Sequence, residues 1–186
     1  MNAYNTLKDW GMQALIGTTT STPCTAVVEE THSDNMFQLT PSATAVDSIQ
    51  YDNAFRMCFS DPNQGSASAD YIAENKLATK VAIIYNSSDT YSSGIYQTFA
   101  TEAKAKGLDV VAAEAFTADN KTDFSVQIQK AKDAGAELVF LPIYYQEASL
   151  ILAQANKAGL HRSGSDVTVW TVSLILMDLT QVLQKT

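Results

Sequence analysis

Apolar positions along the chain gather into short runs, separated by stretches whose apolar residues recur at helical spacing. From residue 80 the alternation is regular. The run 80–85 predicts a strand, 91–106 an amphipathic helix ending at Gly107, and 109–115 a second strand. Residues 123–134 predict a helix ending at Gly135, 137–142 a strand, and 147–158 a helix ending at Gly159. Upstream, 2–9 read as the end of a helix closed by Gly11, and 14–17 as a buried strand. Residues 21–34 fit a helix capped by Ser21 or Thr22, with Pro23 in its first turn. Short strands follow at 36–39 and 54–59, then a helix over 64–75 with Tyr71 and Ile72 inward. Strands alternating with helices of this length predict an α/β fold: right-handed crossovers, parallel sheets, and helices on both faces. Internal repeats and low-complexity linkers are absent from the sequence.

Composition narrows the picture only slightly. The 186 residues are 46% hydrophobic, enough for one good domain or two halves of a larger protein. No apolar run reaches the ~18–20 residues that a membrane span needs. The opening residues show no basic segment followed by an apolar one, so no export signal is visible. A formal charge of −8 argues against nucleic acid and anionic membrane surfaces as partners. Cys24 and Cys58 are the sole cysteines and lie in no metal-binding spacing; a disulfide between them and a pair of inert buried thiols are both open readings.

In open α/β sheets, ligands bind beyond the carboxyl ends of the strands. After the first strand comes Thr18-Thr19-Thr20-Ser21-Thr22-Pro23, a hydroxyl-rich turn opening onto a helix N-terminus, which suits a small anion such as a carboxylate. Thr40-Pro41-Ser42-Ala43-Thr44 is a second turn of the same chemistry. Beyond residue 85 lies the polar stretch 86–94, containing Tyr91, and beyond residue 142 lies Tyr144-Tyr145-Gln146-Glu147. Hydroxyls on one side and aromatic rings on the other would suit a small zwitterion with an apolar side chain. Each feature also has a plain structural reading. Ser21 and Thr22 serve equally as helix caps, Ser42 and Thr44 as turn residues, and Tyr91 and Tyr144 as packing aromatics. A lone His32 indicates little, and Asp89 and Glu147 read as acids placed at helix starts. Phosphate-loop, nucleophile-elbow and dinucleotide fingerprints are missing, so no catalytic residue, cofactor or metal ligand is assigned.

Over residues 2–159 the chain resembles the branched-chain amino-acid-binding proteins of ABC importers, the Leu/Ile/Val-binding family with the type I periplasmic-binding fold. The resemblance is carried by Gly17-Thr-Thr-Thr-Ser-Thr-Pro, Leu39-Thr-Pro-Ser-Ala-Thr, the stretch from Phe55 to Gly65, Val81-Ala-Ile-Ile-Tyr, Tyr91-Ser-Ser-Gly-Ile-Tyr and Ile143-Tyr-Tyr-Gln-Glu. It implies two lobes that close on an amino acid and signal to an ABC permease in the membrane, outside the cytoplasm and without covalent chemistry. Ser21 matches the family's carboxylate-binding serine; Ala43 and Thr44 match its second hydroxyl-bearing turn. Tyr91 and Tyr144 match two cleft tyrosines, and Thr22 lies beside the serine. A ligand-sensing domain of a receptor or transcriptional regulator on the same fold is the alternative.

The family pattern divides the chain into a first lobe over 1–60, a crossing at 61–65 and a second lobe over 66–160. The family leader and its first two βα units do not precede residue 1, so the sequence reads as a truncated fragment. The resemblance stops after Leu160. Regrouping the codons from the third base of His161 restores a family-like text, so 161–186 read as a frameshifted, non-native tail. Two positions of that text leave no codon freedom: Trp170 with Thr171 must give aspartate, and Met177 with Asp178 must give glycine. The acid that holds the ligand's ammonium would then be lost, with neither Asp166 nor Asp178 replacing it. Weak or absent binding by this chain alone is the corresponding expectation.

Overall fold

The computed structural model describes residues 2–159 and 168–171. Most of the segment assigned above to a shifted reading frame therefore lies outside the described residues. The chain divides into two compact units, Met1–Asn63 and Gln64–Thr186.

The first unit runs α1 (Asn2–Asp9), β1 (Ala14–Ile16), α2 (Ser21–Ser33), β2 (Phe37–Thr40), a 3-10 turn (Val46–Ile49) and β3 (Ala54–Arg56). Its three strands are parallel in the order β1-β2-β3. The buried residues of α2 are Ser21, Cys24, Val27, Val28 and Thr31, the spacing of one helical stripe. Gln38, Thr40 and Ala54 share the buried sheet face. Gln38 is fully buried but satisfied: its Oε1 accepts the Thr31 hydroxyl at 2.6 Å, and its Nε2 donates to Cys24 Sγ at 3.2 Å. Below, α1 is tied down by Asp34. The Tyr4 hydroxyl donates to Asp34 Oδ2 at 2.8 Å, and Lys8 pairs with Oδ1.

One expectation is corrected here. The strand at 14–17 is not buried, because Ile16 is 68% exposed. In the parallel register Ala14, Ile16, Phe37, Leu39 and Phe55 fall on the sheet face opposite to that of Gln38 and Thr40. Among the described residues β1 pairs with β2 alone, at the edge of this sheet, and the Phe37 and Phe55 rings stack at 5.5 Å on the same exposed face. The strand expected over 54–59 is also shorter, ending at Arg56.

The helix expected from residue 64 begins earlier, as α3 (Asp61–Glu74), with Pro62 in the first turn where its missing N–H costs nothing. The segment read as a crossing, 61–65, is thus helical. The second unit continues with β4 (Lys80–Asn86), α4 (Thr90–Ala105), β5 (Asp109–Phe116), α5 (Ser125–Asp133), β6 (Leu138–Leu141), α6 (Tyr145–Lys157) and β7 (Thr168–Thr171). Its strands are parallel in the order β5-β4-β6-β7. Val81, Ala82, Ile83 and Ile84 are all fully buried, as expected of a strand covered on both faces. Ala82, Ile84, Val139 and Leu141 pack with Ile128 of α5 and Ile151 of α6. Val81, Ile83, Leu138 and Phe140 pack with Ile72 of α3 and with Ile95 and Phe99 of α4. α3 and α4 therefore cover one face of the sheet and α5 and α6 the other, the period-2 pattern of each strand dividing its side chains between them.

Contact between α3 and α4 depends on Gly65. A Cβ there would lie 2.0 Å from Thr98 Oγ1 and 2.7 Å from Phe99 N. Only glycine lets the two helix backbones approach this closely.

Candidate functional site

In the first unit, α2 begins at Ser21, but Ser21 is not its cap. The cap position is Thr20, in extended conformation and without a side-chain capping bond. The Ser21 hydroxyl turns instead toward the second turn, where Oγ accepts the backbone N–H groups of Thr44 and Ala45, each at 3.1 Å. Ser21 is 1% exposed. A serine oxygen has two acceptor sites, and both are filled, so the hydroxyl retains only its capacity to donate.

The two turns are linked a second time through Thr40. Its hydroxyl donates to the Thr18 carbonyl at 2.7 Å and accepts the Ala43 N–H at 3.0 Å. On the other side of the second turn, Arg56 Nη1 donates to the carbonyls of Thr44 at 2.9 Å and Ala45 at 3.0 Å. Thr44 Oγ1 is buried without a hydrogen-bond partner among the described residues. A buried hydroxyl left in this way costs about 1–3 kcal/mol unless something else satisfies it. Ala43 is fully buried and Thr22 is exposed.

Cys24 and Cys58 are free thiols, not a disulfide. Cys24 is buried and lies 3.9 Å from the Ser48 carbonyl; Cys58 lies 3.6 Å from the Ala43 carbonyl. Burial pushes the Cys58 thiol above its ordinary range, against the pull of Arg56, so it stays protonated and able to donate.

In the second unit, Tyr91 and Tyr144 stand beyond the carboxyl ends of the neighbouring strands β4 and β6. Their rings stack at 5.0 Å and 21°. Tyr144 occupies the cap position of α6 and is 40% exposed. The turn carrying Tyr91 is held by its neighbours. Asp89 caps α4 by accepting the Ser92 N–H at 3.0 Å, and buried Ser92 accepts the Asn86 N–H at 2.8 Å. The cap reading of Asp89 is therefore correct. Glu147 likewise lies at a helix start, buried in the first turn of α6, and pairs with Lys121 at 3.6 Å. Beside this pair, Tyr145, Gln146 and Leu150 help line an open depression of about 370 Å³.

Sequence reasoning named Ser21, Thr22, Ala43, Thr44, Tyr91 and Tyr144. Within its own unit the structure brings Ser21 and Thr44 into contact, and likewise Tyr91 and Tyr144. Two participants of the first-unit site, Ala45 and Arg56, were missed, and Thr40 was named only as the start of the second hydroxyl-rich turn. Arg56 carried a usable signal, being the one basic residue in the otherwise apolar and polar run 54–60.

A family model described as periplasmic binding protein matches residues 1–182. The chain belongs to the periplasmic binding protein family. Among relatives, the Leu/Ile/Val-binding protein homolog 3 of Brucella melitensis is 30% identical over 162 residues, covering 86% of this chain and 44% of the relative. The chain thus spans about half or less of the length of the proteins it matches. Among solved structures, the branched-chain amino acid substrate-binding protein LivJ of Streptococcus pneumoniae, complexed with isoleucine, superposes with a TM-score of 0.79 at 27% identity. That match covers 90% of this chain and 46% of LivJ. The leucine binding protein LivK of Thermotoga maritima gives a TM-score of 0.81 at 24% identity, covering 91% and 47%, and shows the shared fold. Such likenesses establish the type I periplasmic-binding architecture, with parallel sheets flanked by helices, for the described units.

Proposed function

We propose that this chain is part of an extracytoplasmic solute-binding protein that captures a small amino acid, of the branched-chain type, for ABC-type import. One observation carries the reading: Ser21 Oγ has both acceptor sites filled by the N–H groups of Thr44 and Ala45. A ligand atom meeting Ser21 must therefore be an acceptor, and the adjacent Thr44 hydroxyl has no partner among the described residues. A carboxylate satisfies both, at the positive end of α2. Thr22 and Ala43 border this seat in sequence. Tyr91 and Tyr144 are assigned to the apolar body of the ligand, their stacked rings giving flat hydrophobic area at low entropic cost. The Brucella melitensis and Streptococcus pneumoniae relatives support the branched-chain assignment by the ligands in their names. An ABC permease in the membrane is the corresponding partner.

Chemical-shift titration of the isotope-labelled chain with leucine, isoleucine and valine tests the reading. Leucine is expected to move the resonances of Ser21, Thr44 and Ala45, while 3-methylbutylamine, which lacks the carboxylate, leaves them in place. Equal shifts with both compounds, or leucine-dependent shifts that bypass Ser21, Thr44 and Ala45, would overturn the assignment.

A further inference from the structure

The second turn of the first unit is gripped by its carbonyls. Arg56 Nη1 holds those of Thr44 and Ala45 at 2.9 and 3.0 Å. The Asp61 N–H adds a bond to the Thr44 carbonyl at 2.9 Å, and Cys58 Sγ lies 3.6 Å from that of Ala43. In a trans peptide plane the N–H points opposite to the C=O. The Ala43 carbonyl shares its plane with the Thr44 N–H, and the Thr44 carbonyl shares its plane with the Ala45 N–H. Those are the two N–H groups that end on Ser21 Oγ. Whatever fixes the carbonyls therefore aims the amides.

We propose that Arg56 is a positioning residue: its grip on the Thr44 carbonyl directs the Ala45 amide onto Ser21 Oγ, its grip on the Ala45 carbonyl anchors the next peptide plane, and together they help keep the Ser21 hydroxyl a donor. The inference rests on the carboxylate reading above for its functional meaning, although the grip itself is tested separately. A guanidinium suits the task because it stays charged and its N–H groups diverge in one plane, matching two successive carbonyls. Lysine keeps the charge on a shorter stem without the planar fork.

Amide hydrogen exchange on the full chain is the test, with Arg56→Met, Arg56→Lys and the unsubstituted protein compared at Thr44, Ala45 and, as an internal reference, Val28 in the middle of α2. Charge-assisted bonds of this kind imply about a tenfold or greater acceleration at Ala45 in Arg56→Met, and a smaller one at Thr44, whose peptide plane Arg56 does not hold. Val28 is expected to keep its rate, and Arg56→Lys to fall between the other two. Unchanged exchange at Ala45 overturns the proposal, as does an acceleration that Val28 shares, since Arg56 would then be a general stabiliser. If Arg56→Met does not fold, Arg56→Lys decides: faster exchange at Ala45 with Val28 unchanged supports the grip, and equal exchange at Ala45 overturns it. Titration of the unsubstituted chain separates the two ideas, because 3-methylbutylamine shifts equal to those of leucine overturn the carboxylate reading whatever the exchange rates.

Discussion

The hydroxyl oxygen of Ser21 accepts the backbone N–H of Thr44 at 3.1 Å, joining two strand-end turns that lie 23 residues apart in the sequence. The same oxygen takes the Ala45 N–H, so a single side chain gathers two amides of the second turn. This makes Ser21 both a structural tie and the buried end of a donor array.

Replacing Ser21 by alanine removes the acceptor of two buried N–H groups at once. The expected loss is about 1–3 kcal/mol of stability, read as a lower urea midpoint with an unchanged slope. A midpoint equal to that of the unsubstituted chain would show that water or a neighbouring group replaces the hydroxyl.

Gly65→Ala places a methyl group inside the van der Waals boundary of the α4 backbone. Overpacking of this kind costs about 1–3 kcal/mol, and here the obstructing Phe99 N and Ile95 O are backbone atoms that cannot swing aside. Thermal denaturation should show a clear fall in midpoint, whereas Ala69→Gly on the same helix should cost about 1 kcal/mol through helix propensity and lost burial.

Tyr144→Ala separates binding from folding. The side chain is 40% exposed, so the main loss is the ring stack with Tyr91, about 0.5–1.5 kcal/mol. Stability should change by no more than that, while leucine-dependent shifts around Tyr91 disappear. Persisting shifts at Tyr91 would remove the tyrosine pair from the proposed site.

Asp34 gives the first unit an acid-sensitive anchor. The Lys8 hydrogen bond, then that of Tyr4, hold its carboxyl below the ordinary value of 3.8. A depressed folded pKa contributes stability that is fully present above the unfolded value and is lost as pH falls through the folded one. The α1 anchor should therefore be intact above about pH 5 and weaken below 3.8. Asp34→Asn should flatten that part of the stability profile, and an unaltered acid limb would assign it to other carboxylates. The tyrosine partner responds in the opposite sense: burial, then Asp34, pushes the Tyr4 hydroxyl well above its usual range, so it stays a donor through neutral and alkaline pH.

Much of the second unit was legible in advance. The apolar run 81–84 had to be a doubly covered strand, and Gly107, Gly135 and Gly159 marked helix ends that the backbone confirms with positive φ. Such features are local, because hydrophobic period and a left-handed C′ residue are properties of adjacent positions. The chemistry of Thr18–Thr22 was equally visible as a cluster of hydroxyls at a strand end.

What sequence could not reveal was how those hydroxyls are used. Ser21 looked like a helix cap, yet its acceptor sites are taken by amides from a turn beyond the next strand. Arg56 looked like one charge in a strand, yet it reaches back to the carbonyls of Thr44 and Ala45. Ile16 looked buried, yet β1 sits at a sheet edge with that side chain on the open face. The residues by themselves determined the parallel α/β plan and the chemical character of the turns. The choice of partner for each polar atom was decided by tertiary structure, because it depends on which strand ends the folded sheet brings side by side.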